Sequence, residues 1–347
     1  MFSFTLTVLA LTGCEPTTSS APFKASDAYA RISGRYLEVS QDPSAPGPDI
    51  VVGGESNVHV GTFRFQAVGE PMELTDFTLV NRYDDETISS VMVRYEDVDG
   101  ETMESYGFLV EGEVEFSGEE VYVPSDDHAT VEVYVATNTE VVADPGMLLQ
   151  LDWVDDEVEV IGLISGEVFG PERATNYVAS AIFEWHTTKP TITLSEDSPT
   201  EDEGAERLCF FVAADSGGEL GIEELFFQLH ATDNEGTSWN HLACGDGGLE
   251  EDDFFLAIDD GVVDSDWTLY TRRRPCGEVQ VVRVTLDTAV SAGEVRTFEF
   301  NMAADGATPG DQLLVELIDV TWTDQGIAFD GSLLERLPLL GNTISLD

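Results

Sequence analysis

The chain has 347 residues, with 68 Asp plus Glu against 15 Lys plus Arg, which gives a formal net charge of −53. Proteins that bind nucleic acids or anionic membrane surfaces use Lys and Arg to neutralise phosphates, so this charge excludes nucleic-acid binding and disfavours anionic membrane surfaces. Hydrophobic residues make up 42% of the chain, enough to build buried cores, which argues against intrinsic disorder. At about 150 residues per domain, the length predicts about two domains.

The acidic residues are spread through the whole chain instead of forming a tail. Two explanations stay open. A surface covered with carboxylates suits the high salt of a halophilic environment, where screening shortens the reach of self-repulsion. The same surface could recruit calcium through oxygen ligands. The chain has only two lysines, Lys24 and Lys189, and this scarcity favours the salt explanation.

Residues 2–13 form an apolar run that is too short for a membrane span of about 20 residues. The run ends in Leu-Thr-Gly followed by Cys14, which resembles the lipobox of bacterial lipoprotein signal peptides, and a polar Pro/Ser/Thr-rich tether follows it. No Lys or Arg precedes the run, which departs from that pattern. We expect residues 1–27 to be an export signal with lipidation at Cys14, followed by the tether.

The same segment also has the period-2 pattern of a β-strand. Its apolar residues alternate with Ser and Thr, and these are Phe2, Phe4, Leu6 and Val8. A retained strand of this kind could dock on the sheet of a neighbouring subunit by β-augmentation. The export signal is the favoured interpretation, and the intersubunit strand is the alternative.

Short alternating segments with turn signals between them recur along the rest of the chain, and helical periodicity is almost absent. In chain order, clear examples are residues 61–67, 74–80, 90–95, 129–135 and 279–284. The Asp-Pro-Gly before residues 146–151 reads as a turn into a strand. This spacing predicts an all-β protein built as a β-sandwich.

An internal duplication at a period of roughly 150 residues divides the chain. The matching segments keep their order, and they are residues 36–43 with 192–199, 63–79 with 209–227, and 131–151 with 296–315. Lys189-Pro190 makes a plausible boundary between the two copies. We therefore expect two domains of the same fold, at residues 28–188 and 189–347.

Several of these segments are similar to a known family. The likeness lies in residues 37–40, 50–58, 63–65, 121–124 and 337–346. They resemble the tandem immunoglobulin-like repeat domains of bacterial surface-layer, pilus-like and adhesin proteins, over nearly all of residues 30–347. The resemblance implies two tandem immunoglobulin-like β-sandwich domains and an extracellular structural or adhesive role without catalysis. It implies no particular functional residue.

Calcium is the one cofactor that the sequence suggests, because calcium takes about six to eight oxygen ligands and several turns are rich in Asp. The candidate ligands are Asp84, Asp85, Asp97, Asp99, Asp264 and Asp266. The alternative is that these residues form ordinary polar turns, since Asp99-Gly100 between two alternating segments is also a hairpin signal. No other cofactor is expected.

The cysteines and histidines give modest predictions. Cys244 and Cys276 lie in loop-like surroundings and are the preferred disulfide pair of an exported protein. Cys209 lies inside an apolar segment and is expected to be a buried thiol. The histidines are isolated and are expected to be surface or half-buried residues; they are His59, His128, His186, His230 and His241.

The only basic cluster is formed by Arg272, Arg273 and Arg274. It could dock on an acidic patch of the next copy and so drive head-to-tail growth. Local neutralisation of nearby carboxylates is the favoured alternative. Three tryptophans, Trp239, Trp267 and Trp322, could stack on sugars, although a Trp in a sandwich is more often core.

These observations predict a non-enzymatic protein of the outer cell surface: a subunit of a surface layer or filament that associates with itself, or an anchored adhesive stalk. The alternative function is a monomeric surface lipoprotein that binds a glycan or a peptide. No enzyme motif of the G-x-S-x-G, H-E-x-x-H or P-loop type occurs.

Overall fold

The computed structural model describes residues 34–346, except 84, 126, 203, 233–248, 272–278, 304–306 and 308. Strands dominate, and the described part of the chain contains no α-helix. Among the residues described, single-turn 3₁₀ helices lie at Asp85–Thr87, Pro171–Arg173 and Glu251–Asp253. The predicted all-β class is confirmed.

The described residues of the first half form thirteen strands. They are β1 (Tyr36–Gln41), β2 (Asp49–Val52), β3 (Val58–Val68), β4 (Met72–Asn81), β5 (Ile88–Glu96), β6 (Thr102–Gly107), β7 (Glu113–Val123), β8 (Ala129–Thr137), β9 (Met147–Leu149), β10 (Leu151–Gly162), β11 (Val168–Phe169), β12 (Tyr177–Val178) and β13 (Phe183–His186). One sheet has the order β1-β3-β8-β5-β6, and the facing sheet has the order β11-β10-β4-β7. A small sheet, β2-β13-β9, closes one end.

The described residues of the second half form eleven strands. They are β14 (Pro190–Leu194), β15 (Glu206–Ala214), β16 (Leu220–Thr232), β17 (Phe254–Ile258), β18 (Gly261–Val262), β19 (Asp266–Thr271), β20 (Val279–Val290), β21 (Val295–Met302), β22 (Gln312–Asp324), β23 (Ile327–Phe329) and β24 (Leu339–Ser345). One sheet has the order β14-β15-β21-β17-β18 and the other β19-β20-β16-β22-β23, with β24 also paired to β22.

The core strand order is the same in both halves and follows the immunoglobulin pattern, although the second half has two strands, β20 and β19, where the first half has β7 alone. In the first half, β1, β3, β8 and β5 have the order of an A-B-E-D sheet, and β4, β10 and β11 have that of a C-F-G sheet. An added pair, β6 and β7, extends each sheet by one strand. In the second half, β14-β15-β21-β17 and β16-β22-β23 repeat this arrangement. The duplication seen in the sequence therefore corresponds to repeated strand pairing.

The apolar residues that alternate along the strands point inward and form two clusters of buried side chains. In the first, Trp153 of β10 contacts Phe65 of β3 edge to face at 5.1 Å, which joins the two sheets. In the second, the ring centroids of Phe227 in β16 and Phe300 in β21 lie 4.3 Å apart. Trp322 is fully buried and Trp267 packs partly buried against the second cluster, so both belong to the core, whereas Trp239 lies outside the described residues.

Candidate functional site

The predicted calcium ligands Asp97 and Asp99 lie in the hairpin between β5 and β6. Oδ1 of Asp97 accepts hydrogen bonds from the backbone N–H groups of Asp99 and Glu101, both at 2.9 Å. This is the way in which an Asp side chain closes a turn on its own backbone. The Asp97 carboxylate therefore already has a structural role in the hairpin.

The other described candidates are far from this hairpin. Asp85 lies at the opposite end of β5, where its Oδ1 accepts a hydrogen bond from Asn81. Asp264 and Asp266 are exposed at the start of β19 in the second half. Among the described residues, no group of three or more His, Cys, Asp or Glu side chains is arranged to hold a metal ion. Calcium binding stays a prediction.

Several predicted site residues lie outside the described residues. They are Phe2, Phe4, Leu6, Val8, Cys14, Asp84, Cys244, Arg272, Arg273, Arg274 and Cys276. The end of β16 precedes residues 233–248, and the end of β19 and the start of β20 flank residues 272–278. These three strand ends lie on the same side of the second sandwich, because β20 runs antiparallel to both β16 and β19. The Cys244–Cys276 disulfide stays a prediction. Cys209 is buried, as expected, and burial raises the pKa of its thiol.

One fully buried carboxylate, Asp324, lies at the end of β22. Its side chain is fully buried and binds Thr187, in the segment that links the two halves. Oδ2 of Asp324 accepts a hydrogen bond from the backbone N–H of Thr187 at 2.7 Å, and Oδ1 accepts one from the Thr187 hydroxyl. We call residues 184–189, together with Asp324, Trp322 and Phe329, the junction.

His186 lies beside Asp324 in the junction and is also fully buried. Its Nε2 atom is 3.0 Å from Oε1 of Glu184, and its Nδ1 atom is 3.5 Å from Oδ2 of Asp324. The ring packs against Trp322 and Phe329, with centroid distances of 4.8 and 4.3 Å. The prediction of a surface or half-buried histidine is wrong at this position, because the second half covers the ring.

Burial opposes the ionisation of Asp324, but the neighbouring His186 and the two hydrogen bonds from Thr187 outweigh it and lower the pKa of the carboxyl group. Asp324 is therefore a charged acceptor in the interior. Hydrogen bonds to a charged acceptor are stronger than neutral ones, and leaving their donors unpaired in the interior is expensive. The junction therefore resists separation of the two halves.

Two glycines, one from each half, allow a close approach to the segment that links the halves. A Cβ atom at Gly217, in the loop between β15 and β16, would clash with the carbonyl oxygen of Thr187. A Cβ atom at Gly53 would lie 2.5 Å from the ring of Trp185. The sequence analysis identified neither glycine as part of a contact. Both positions require the absence of a side chain.

Lys189 of the junction also joins the halves. Nζ of Lys189 donates a hydrogen bond of 3.3 Å to the carbonyl oxygen of Ile50, whose side chain belongs to the core of the second half. An open groove of about 1040 Å³, solvent space included, runs beside these residues between the loop at 46–48 and the loop at 332–335.

The chain passes through the two halves from end to end. Tyr36, at the start of β1, pairs with Val68, the last residue of β3. β2 and β13 lie toward the other end of β3 and lead into the junction. In the second half, β22 runs from Gln312 to Asp324, and Ser345 of β24 pairs with Gln312. The first and last described strands therefore lie at opposite ends of the molecule.

No protein-family model and no curated protein matches the chain. Among solved structures, it is similar to one named BspA_C_WT, with 9% identity, 90% of this chain and 99% of that chain covered, and a TM-score of 0.23. It is also similar to the BSP domain of a biofilm-associated protein, with 7% identity, 90% and 66% covered, and a TM-score of 0.22. The CFA/I adhesin CfaE of enterotoxigenic E. coli gives 9% identity, 90% and 87% covered, and a TM-score of 0.17.

TM-scores this low carry no argument about fold or function, so the fold is taken from the strand pairing. Within the described residues, no helix has the length and apolar character needed to cross a membrane.

Proposed function

We propose that the protein is a non-enzymatic stalk of the outer cell surface, in which two tandem immunoglobulin-like sandwiches, residues 28–188 and 189–347, hold an adhesive surface away from an anchored N-terminus. The observation that carries the proposal is the end-to-end course of the chain through a junction whose polar groups are buried. A spacer needs both features, because it sets a distance only if its parts keep a fixed orientation.

The shape of the protein in solution tests the stalk. β3 has 11 residues and β16 has 13, so the two sandwiches placed end to end span about 80 Å. A rod of that length has a radius of gyration of about 25 Å, against about 20 Å for one compact domain of the same chain length. X-ray scattering should give 25 Å or more. A value near 20 Å would contradict the extended arrangement.

The anchor is tested by mass spectrometry of the native N-terminus. An acylated Cys14 as the first residue supports attachment through a lipid. An intact segment from Met1 to Gly13 would contradict the anchor and would support the alternative of an intersubunit strand.

A second candidate function is a self-associating subunit of a surface layer or filament. The observation in its favour is β6, an edge strand that leaves Tyr106 exposed and is followed by the exposed Phe108. Exposed apolar edge strands are templates for pairing with another chain. Light scattering across added calcium and high salt tests this candidate, because both conditions screen a net charge of −53. A protein that stays monomeric throughout would exclude it.

A further inference from the structure

The outer face of the sheet β1-β3-β8-β5-β6 carries two parallel rows of polar and aromatic side chains. The strand register places Tyr106 opposite Met92, Met92 opposite Tyr134, and Tyr134 opposite His59. In the neighbouring row, Arg94 lies opposite both Glu104 and Glu132. We call these two rows the β6–β3 platform. It crosses three strand spacings, or about 14 Å.

The side chains of the β6–β3 platform hold one another in place. Nε and Nη2 of Arg94 donate to Oε1 of Glu104 at 3.1 and 2.9 Å, and Nη1 donates to the hydroxyl of Tyr134 at 3.2 Å. The Tyr134 hydroxyl donates to Oε2 of Glu132 at 2.8 Å, and the Tyr106 hydroxyl donates to Oε2 of Glu104 at 3.1 Å. The platform therefore has a fixed geometry before any ligand binds.

This network remains open to solvent. The exposed fractions of Arg94, Glu104 and Glu132 are 37%, 40% and 38%, and that of Tyr106 is 64%. Met92, opposite Tyr106, is only 5% exposed. Tyr106 thus offers an aromatic surface beside fixed hydrogen-bonding groups, on strands rather than on a loop.

The charges of the platform restrict its ligand. Two carboxylates face one guanidinium, and the hydrogen bond from Arg94 lowers the pKa of Glu104, so the cluster is anionic at neutral pH. A polyanion would be repelled by this cluster and by the net charge of −53. A flat protein partner would have to bury an ion-paired network, and the cores of protein interfaces are depleted of charged residues.

A neutral sugar chain avoids both penalties. Its hydroxyl groups can donate to the unused acceptor sites of Glu104 and Glu132, and its apolar C–H face can pack on the Tyr106 ring. We infer that the β6–β3 platform binds a neutral polysaccharide, across a length that fits several sugar units. This inference deepens the proposed adhesive stalk by naming its ligand class, and its failure would leave the rod shape untouched.

Electrophoresis of the full chain through native gels that contain a soluble polysaccharide tests the inference. Four neutral polymers serve as probes: dextran, galactomannan, hydroxyethyl cellulose and a mixed-linkage β-glucan, with alginate as the polyanion. We expect at least one neutral polymer to retard the protein. Tyr106→Ala should weaken that binding about tenfold, the loss expected for one aromatic contact. Glu104→Gln should also weaken it.

The matched control is Tyr270→Ala. Tyr270 is another exposed tyrosine, on β19 of the second half, and Arg283 lies 5.9 Å from its ring. This variant should bind as the unchanged protein does. The inference is overturned if none of the four neutral polymers retards the protein, if alginate retards it more strongly, or if both Tyr variants lose binding equally. It is also overturned if Tyr106→Ala changes only the oligomeric state, because the face would then pair with a second copy.

Discussion

Replacing Asp324 by alanine should destabilise the junction more than any single change at the protein surface. The substitution leaves the N–H and hydroxyl groups of Thr187 without their acceptor in a region that solvent does not reach. It also removes the negative charge beside His186. Each unpaired buried donor costs about 1–3 kcal/mol. With two such donors, we expect a loss of about 2–6 kcal/mol.

Urea unfolding followed by tryptophan fluorescence measures this loss, because Trp322 packs against the His186 ring in the junction. The control is Asp287→Ala, which removes the same charge from an exposed position on β20. It should change the free energy of unfolding by less than about 0.5 kcal/mol. Equal effects of the two substitutions would refute the structural role of Asp324.

The effect of Asp324 should depend on pH in a defined direction. Its folded-state pKa lies below the ordinary value of 3.8, so the carboxylate stabilises the folded protein above pH 3.8. The contribution is lost as the pH falls from 3.8 through the folded-state pKa. The stability difference between the unchanged protein and Asp324→Asn should therefore be constant near neutral pH and shrink in strong acid. A difference that grew with acid would contradict the argument.

Three further results are expected. Gly217→Ala should lower the melting temperature and increase the radius of gyration in solution, because the new Cβ atom would clash with the Thr187 carbonyl group; unchanged scattering would show that the halves do not need this close approach. Glu206→Gln should raise the free energy of unfolding slightly at neutral pH. Burial, and then the nearby carboxylates Glu299 and Asp197, raise the pKa of Glu206, so its charged form destabilises the folded protein and the neutral Gln does not. A lower melting temperature of the variant in calorimetry would contradict this argument. Cys209 should react with a thiol reagent only after unfolding, because it is buried and burial raises its pKa, and fast labelling of the folded protein would contradict its position.

Local sequence patterns were enough to predict the strands and their inward faces. The alternation in residues 129–135 became β8, whose Val131, Val133 and Val135 are buried, because a strand turns successive side chains to opposite faces. The turn before residue 147 was also predicted correctly, since β9 begins at Met147. The repeat predicted the shared strand order, because similar patterns in the same order favour similar pairing.

Side-chain partnerships across the fold were beyond the sequence. Thr187 and Asp324 are 137 positions apart, and in a chain with 68 acidic residues nothing local distinguishes Asp324 from the others. The β6–β3 platform was missed for the same reason, since the register of four strands decides that Tyr106 and His59 share a row.

The sequence by itself therefore determined the β class, the duplication and a strongly acidic surface, because these depend on composition and on residues close together in the chain. The tertiary structure alone decided which carboxylates are buried, which histidine is covered and which tyrosine is exposed beside a fixed polar network. Those properties arise when strands pair and the two halves meet. The free energy of such contacts depends on burial and on distances between residues remote in the chain, neither of which a local pattern contains.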